Sequence, residues 1–149
     1  MINDVELNYL KPHFDDRGFF NEIGRLNNSF FKEGIKQISH SLVKKDVLKA
    51  WHAHTEQFQW NYVVNGLIYV ALYDNRKKSS TYGEKLTFLT GENHKPLIYK
   101  FPPGVLHGYK CINGPMNIVY LTSGTYDLND EVRISQNDKN ISFDWSKIQ

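Results

Sequence analysis

His52 and His54 stand two apart in the segment Trp51-His52-Ala53-His54, and a third histidine, His107, closes the segment Pro102-Pro103-Gly104-Val105-Leu106-His107. On a strand, residues two apart share a face, so His52 and His54 would present both imidazoles to the same side. Two chemistries suit such a group. With a third ligand the imidazoles could hold Zn, Cu, Fe or Ni. An imidazole that titrates near pH 6.5 is also well matched to taking and returning protons at neutral pH.

The elements that must position these histidines read as strands. A chain of 149 residues is one domain's worth, and we expect a single domain over residues 1–149. Aromatic residues make up 14% of it, which favours half-buried pleated surfaces. Leu67 to Tyr73, Pro96 to Phe101 and Met116 to Thr122 are runs of strand formers. Turn clusters separate them at Asn65-Gly66, Thr90-Gly91-Glu92-Asn93 and Asn113-Gly114-Pro115. Asn28-Ser29 could cap one short helix that ends at Gly34. From Ser135 onward the spacing of Ile141, Phe143 and Trp145 reads as a last strand. Trp51, Phe58 and Trp60 are expected in the core, as is the single cysteine, Cys111, which rules out an internal disulfide framework. A net charge of +2 is too small to argue for nucleic acid. The N-terminus lacks the apolar stretch of a signal peptide, and no apolar run approaches the ~20 residues of a membrane span, so a cytoplasmic soluble protein is expected.

The pattern His-x-His, a later glycine at Gly66, and then Pro-x-Gly-x-x-His resembles the two-part signature of cupins. That resemblance implies an all-β fold, a small barrel or jelly roll of the cupin type with few short helices. Metal-binding cupins carry a glutamate at the position of Gln59. A neutral amide is a weaker ligand and does not offset the ion's charge, so proton transfer without a metal or other cofactor is the expected chemistry.

From about Phe14 to Trp145 the chain also resembles the nucleotide-sugar 3,5-epimerases that act on dTDP-4-keto-6-deoxyglucose. The matching segments are Asp15 to Glu22, Gln37 to Ser41, Val47 to His52, Ser79 to Gly83, Pro103 to Tyr109, Tyr120 to Tyr126, Glu131 and Trp145. The resemblance implies epimerisation at C3 or C5 of a nucleotide-diphosphate 4-keto sugar, with His52 as general base and Tyr120 as general acid. It implies that Arg17 and Lys49 meet the diphosphate and that Tyr126 stacks near the base. Phe20 and Glu22 would lie near the thymine held by a neighbouring subunit, hence a homodimer. Gln37, Ser39, His107 and Glu131 match further substrate-binding positions. In this chain Gln59 replaces the family's enolate-stabilising lysine. The aspartate that orients the family's histidine is expected beyond Trp145, where this sequence offers no match. Gln59 or His54 is therefore expected to replace the lysine in part. The His52-Ala53-His54 triplet also resembles 3,4-ketoisomerases of dTDP-sugar pathways, in which a histidine pair shuttles protons; this is one alternative reading, and a degenerate, non-catalytic nucleotide-sugar-binding or metal-binding cupin is the other. Neither resemblance implies a nucleic-acid or membrane partner.

Overall fold

The computed structural model describes residues 1–91 and 94–148 and is built almost entirely of antiparallel strands. In chain order these are β1 (Glu6–Tyr9), β2 (His13–Asp15), β3 (Gly18–Phe20), β4 (Gln37–Val43), β5 (Leu48–His54), β6 (Gln59–Asp74), β7 (Lys85–Gly91), β8 (Leu97–Phe101), β9 (Val105–Thr122) and β10 (Glu131–Arg133). The strands β2 and β3 form a separate hairpin. The long strands β6 and β9 run side by side, from Gln59 opposite Thr122 to Asp74 opposite Val105. Both change their outer partner midway. The start of β6 also pairs with β8 and its end with β7. The start of β9 pairs with β5 and its end with β4. With β1 on β8 and β10 on β5, two sheets arise that share the two long strands. This is the expected all-β jelly roll of the cupin type.

The fold back between the two sheets corrects two expectations. Asn65-Gly66 and Asn113-Gly114-Pro115 are not turns between strands but bends inside β6 and β9. The β6–β9 register shifts between Val63 and Ile68, and such bulges let a strand bend while its ladder continues. Gly66 sits at φ 83, where a side chain would be strained, and a Cβ there would run into Met116 and the Asn113 carbonyl. The Thr90-Gly91 part of the remaining turn cluster ends β7, whereas Glu92 and Asn93 lie outside the described residues.

Ile68, Val70, Leu72, Tyr99, Phe101, Met116 and Ile118 fill the space between the sheets. The alternate residues of the same strands face outward, and each outer face has its own cover. On the β5 side, Trp51, Ala53, Ala71, Tyr73 and Leu106 pack under Ile141, Phe143 and Trp145. That C-terminal segment is not the expected strand: no strand follows Arg133 among the described residues. The Asp138 carboxylate accepts from Asn140 N (2.8 Å) and Ile141 N (3.2 Å), turning the chain so that its apolar residues drape over Trp51. The apolar spacing thus reports burial of a loop, which gains the same desolvation without a ladder. On the other side Phe30 and Phe31 cover Trp60, Tyr62 and Ile98, with Phe58 packed against them. The expected short helix there is a single 3-10 turn, Ser29–Phe31, capped by the Asn28 side chain. Trp51, Phe58, Trp60 and Cys111 accordingly belong to packed clusters. Among the described residues no helix is long and apolar enough to cross a membrane.

Candidate functional site

A cavity of about 580 Å³ opens at one end of the barrel, lined by β4, β5, β9, β10 and the first residues of β6. Along β5, His52 and His54 turn inward, while Ala50, Trp51 and Ala53 pack outward against their apolar cluster. Lys49 would belong to the outward set by simple alternation. It lines the cavity because the ladder slips: Lys49 stands opposite Tyr109 and His52 opposite His107, three residues against two. Tyr109 and His107 share the inner face of β9, so their partners share it too. The bulge therefore adds a cation to the wall that holds the histidines. The ring centroids of His52 lie 5.3 Å from His54 and 5.5 Å from His107.

Strand β10 and the residue before it supply carboxylates beside these histidines. In its pairing with β5, Glu131 stands opposite His54 and Arg133 opposite His52. The Glu131 side chain reaches diagonally, placing Oε1 3.5 Å from His52 Nε2 while Oε2 accepts from Arg133 at 2.8 Å. That separation is too long for a good hydrogen bond, and the contact is an ion pair only when His52 is protonated. Asp130, one residue earlier, lies 3.2 Å from His54 Nδ1. Burial pulls His52 below the ordinary histidine value; Glu131 opposes this, and His54 and Arg133 add to it. Burial and the two neighbouring imidazoles hold His107 well below that value. Burial works against the Glu131 and Asp130 carboxylates, but their hydrogen bonds and cationic neighbours prevail and keep both below the usual carboxylate range.

The facing wall is neutral, and Tyr109 joins it from the histidine side. Tyr109 and Tyr120 come from the two arms of β9, and their hydroxyls meet at 2.7 Å. Burial raises both above the ordinary phenol value, so each stays protonated at neutral pH. Gln59 Nε2 donates to Asn61 Oδ1 at 2.7 Å, and Asn61 Nδ2 donates to the Tyr99 hydroxyl at 3.0 Å. On β4, Gln37 Nε2 donates to Ser39 Oγ (3.0 Å), while its Oε1 accepts from Tyr126 N (2.8 Å) and so anchors the loop that carries Tyr126 to the rim.

Ten of the residues singled out in the sequence therefore line one cavity: Gln37, Ser39, Lys49, His52, His54, Gln59, His107, Tyr120, Tyr126 and Glu131. Arg17, Phe20 and Glu22 do not. Arg17 and Phe20 sit on the exposed β2–β3 hairpin and Glu22 just after it, and Arg17 is paired with Asp15. The carboxylate that stands beside His52 is Glu131. Sequence reasoning missed Gln57, Tyr109, Asp130 and Arg133. The acidic pair Asp130-Glu131 was visible, but its link to His52 and His54 depends on β10 lying against β5, which no local pattern announces. Among the described residues, no group of three or more His, Cys, Asp or Glu side chains is arranged to hold a metal ion.

The whole chain, residues 1–149, matches the sequence model of the family described as dTDP-4-dehydrorhamnose 3,5-epimerase. It is 38% identical over 149 residues to the spore coat polysaccharide biosynthesis protein SpsL of Bacillus subtilis strain 168, an alignment covering 98% of this chain and 97% of that one. It is 27% identical over 153 residues to the dTDP-4-dehydrorhamnose 3,5-epimerase of Escherichia coli K12, covering 97% and 81%. The crystal structure of a dTDP sugar isomerase from Desulfovibrio desulfuricans G20 superposes with a TM-score of 0.91 at 25% identity, covering 99% and 94%.

Proposed function

Because the chain belongs to the dTDP-4-dehydrorhamnose 3,5-epimerase family, we propose that it inverts C3, C5 or both in a dTDP-linked 4-keto-6-deoxy sugar. A ketone at C4 acidifies the C–H bonds on either side of it. His52, neutral at pH 7, takes the proton, and the C–H electron pair moves into an enolate. Tyr120 returns a proton on the opposite face and so inverts the centre. The observation that carries this reading is that an imidazole kept unprotonated and a phenol kept protonated open into one cavity.

The remaining residues divide the work of holding the substrate. Lys49 and Arg133 supply the positive charge for a diphosphate, whose binding energy positions the distant sugar ring. Tyr126 at the rim offers a stacking surface for the nucleotide base. Gln37, Ser39 and His107 offer polar contacts to the sugar, and Glu131 keeps charge near His52. Gln59 stands where a cation would stabilise the enolate and supplies a hydrogen bond instead. No metal or cofactor takes part in this scheme.

Arg17, Phe20 and Glu22 fit the reading if the hairpin reaches a second copy of the chain. Phe14, Phe19 and Phe20 on that hairpin are 76%, 60% and 68% exposed, an apolar tip suited to a partner surface. We therefore read the protein as a cytoplasmic homodimer of one domain per chain; light scattering should give twice the chain mass, and a monomer at micromolar concentration would refute the dimer.

The catalytic reading is tested with dTDP-4-keto-6-deoxyglucose in D2O, followed by NMR. Wild type should incorporate deuterium at C3, C5 or both, and His52→Ala should lose incorporation at one position at least. Wild type that incorporates no more than His52→Ala rules the epimerase out for this substrate. The closeness of His52 and His54 on one wall favours one second reading, ketoisomerisation. In that case the same spectra would show the carbonyl moving to C3.

A further inference from the structure

The epimerase chemistry described so far uses one histidine, yet the wall carries a second that is built in more firmly. His54 is largely buried, and its Nδ1 faces two groups: Asp130 Oδ2 at 3.2 Å and Gln57 Nε2 at 2.8 Å. Asp130 is itself fixed. Its Oδ1 accepts from Thr55 N (2.7 Å), Thr55 Oγ1 (2.7 Å) and Glu56 N (2.8 Å), which leaves Oδ2 for the imidazole. Those donors come from the turn directly after β5, so the histidine and its carboxylate are held by one short stretch of chain. His52 has no comparable mount, since Glu131 stands 3.5 Å away and is shared with Arg133.

A neutral imidazole carries one proton, on Nδ1 or on Nε2, and the partner of Nδ1 decides which. The amide of Gln57, as oriented, donates and favours a bare Nδ1. The carboxylate of Asp130 accepts and favours Nδ1–H. Asp130 stays ionised, and its charge 3.2 Å away favours a proton on Nδ1 over a bare nitrogen more strongly than a neutral amide opposes it, so the proton belongs on Nδ1. Among the described residues Nε2 has no protein hydrogen-bond partner, and His54 lines the cavity. Its lone pair is left for whatever the cavity holds.

We propose that Asp130 is a positioning residue that makes His54 a second catalytic base, so that His52 serves the carbon on one side of the ketone and His54 the carbon on the other. The inference rests on the epimerase reading and refines it. At its own carbon His54 Nε2 takes the proton: the C–H bond breaks, an N–H bond forms, and the electron pair enters the enolate. The enolate carbon is reprotonated on the opposite face by the phenol or by water, and the imidazolium gives its proton back to water. C3 and C5 flank the ketone at a separation of about 2.5 Å, so two rings 5.3 Å apart on one wall can each address a different carbon.

The test measures deuterium incorporation at C3 and C5 separately, with dTDP-4-keto-6-deoxyglucose and the full-length protein. Asp130→Asn keeps an oxygen for the Thr55 and Glu56 donors and turns an N–H toward His54, which reverses the tautomer. It should slow incorporation at one carbon about 100-fold and leave the other nearly unchanged. His54→Ala should slow the same carbon, the double variant should be no slower than His54→Ala, and His52→Ala should slow the other carbon. Equal losses at both carbons in Asp130→Asn, no loss at either, or exchange confined to one carbon in wild type overturns the division of labour while leaving His52 as base. Unchanged exchange at both carbons in His52→Ala removes the epimerase reading itself. A melting temperature of Asp130→Asn within a few degrees of wild type separates the positioning role from a folding defect.

Discussion

The two walls of the cavity are both largely buried, and burial does opposite things to them. On the β5–β10 wall, His52, His107, Asp130 and Glu131 are each shifted in part by charge on neighbours that include His54 and Arg133. The facing wall of Gln59 and Tyr120, with Asn61 and Tyr99 behind it, holds only neutral groups, and Tyr120 meets the hydroxyl of Tyr109 from the histidine side. Desolvation disfavours whichever form carries charge. It lowers His52 and His107 and raises Tyr120, so at pH 7 one wall has free lone pairs and the other has a proton to give. A single physical effect thus prepares a base and an acid across one space, with the carboxylates and Arg133 as local adjustments on the basic side.

Removing groups from each wall should separate their roles. The largest effect is expected from His52→Ala, which deletes the base: turnover should fall about 1000-fold, read by the product's NMR spectrum. Equal activity in this variant would mean that the charged wall is structural. Next comes Tyr120→Phe, which removes the phenolic proton but keeps the ring. Inversion should fall about 100-fold while deuterium enters the substrate faster than the product forms, because the carbon can still lose its proton. If exchange and inversion fall together, the two walls do not act in separate steps.

The smallest effect concerns pH. The base works when His52 is unprotonated, so kcat/KM should rise with pH through a value below 6.5 and then level. Glu131 favours the imidazolium and holds that value up, against burial, His54 and Arg133. In Glu131→Gln the carboxylate is gone and Arg133 loses its partner, so the limb should move to lower pH. At pH 7 the rate should change by less than about threefold, since His52 is already neutral there. A limb that moves upward would show that Glu131 does not act on His52 by charge.

Local pattern carried a good part of this. Alternation on β5 put His52 and His54 on one face and Trp51 on the other, because a strand's period of two is set by the backbone alone. The spacing of Gly66 and of the segment ending at His107 pointed to the barrel, and the run of family segments pointed to the chemistry. The errors fell where local pattern says nothing about partners. Gly66 and Gly114 punctuate the sequence as turns would, yet the neighbouring strands carry the ladder through both bends. Ile141, Phe143 and Trp145 alternate as a strand would, but a loop that covers Trp51 buries the same side chains.

The site divides in the same way. The sequence determined which residue types face the cavity from a given strand, since that follows from backbone geometry and spacing. The tertiary structure decided which of them meet. A one-residue slip between β5 and β9 brought Lys49 to the histidines, and the pairing of β10 with β5 gave Glu131 to His52 and set Asp130 behind His54. Those partnerships join residues some 75 positions apart, and their register is set by the closing of the whole barrel rather than by any segment within it.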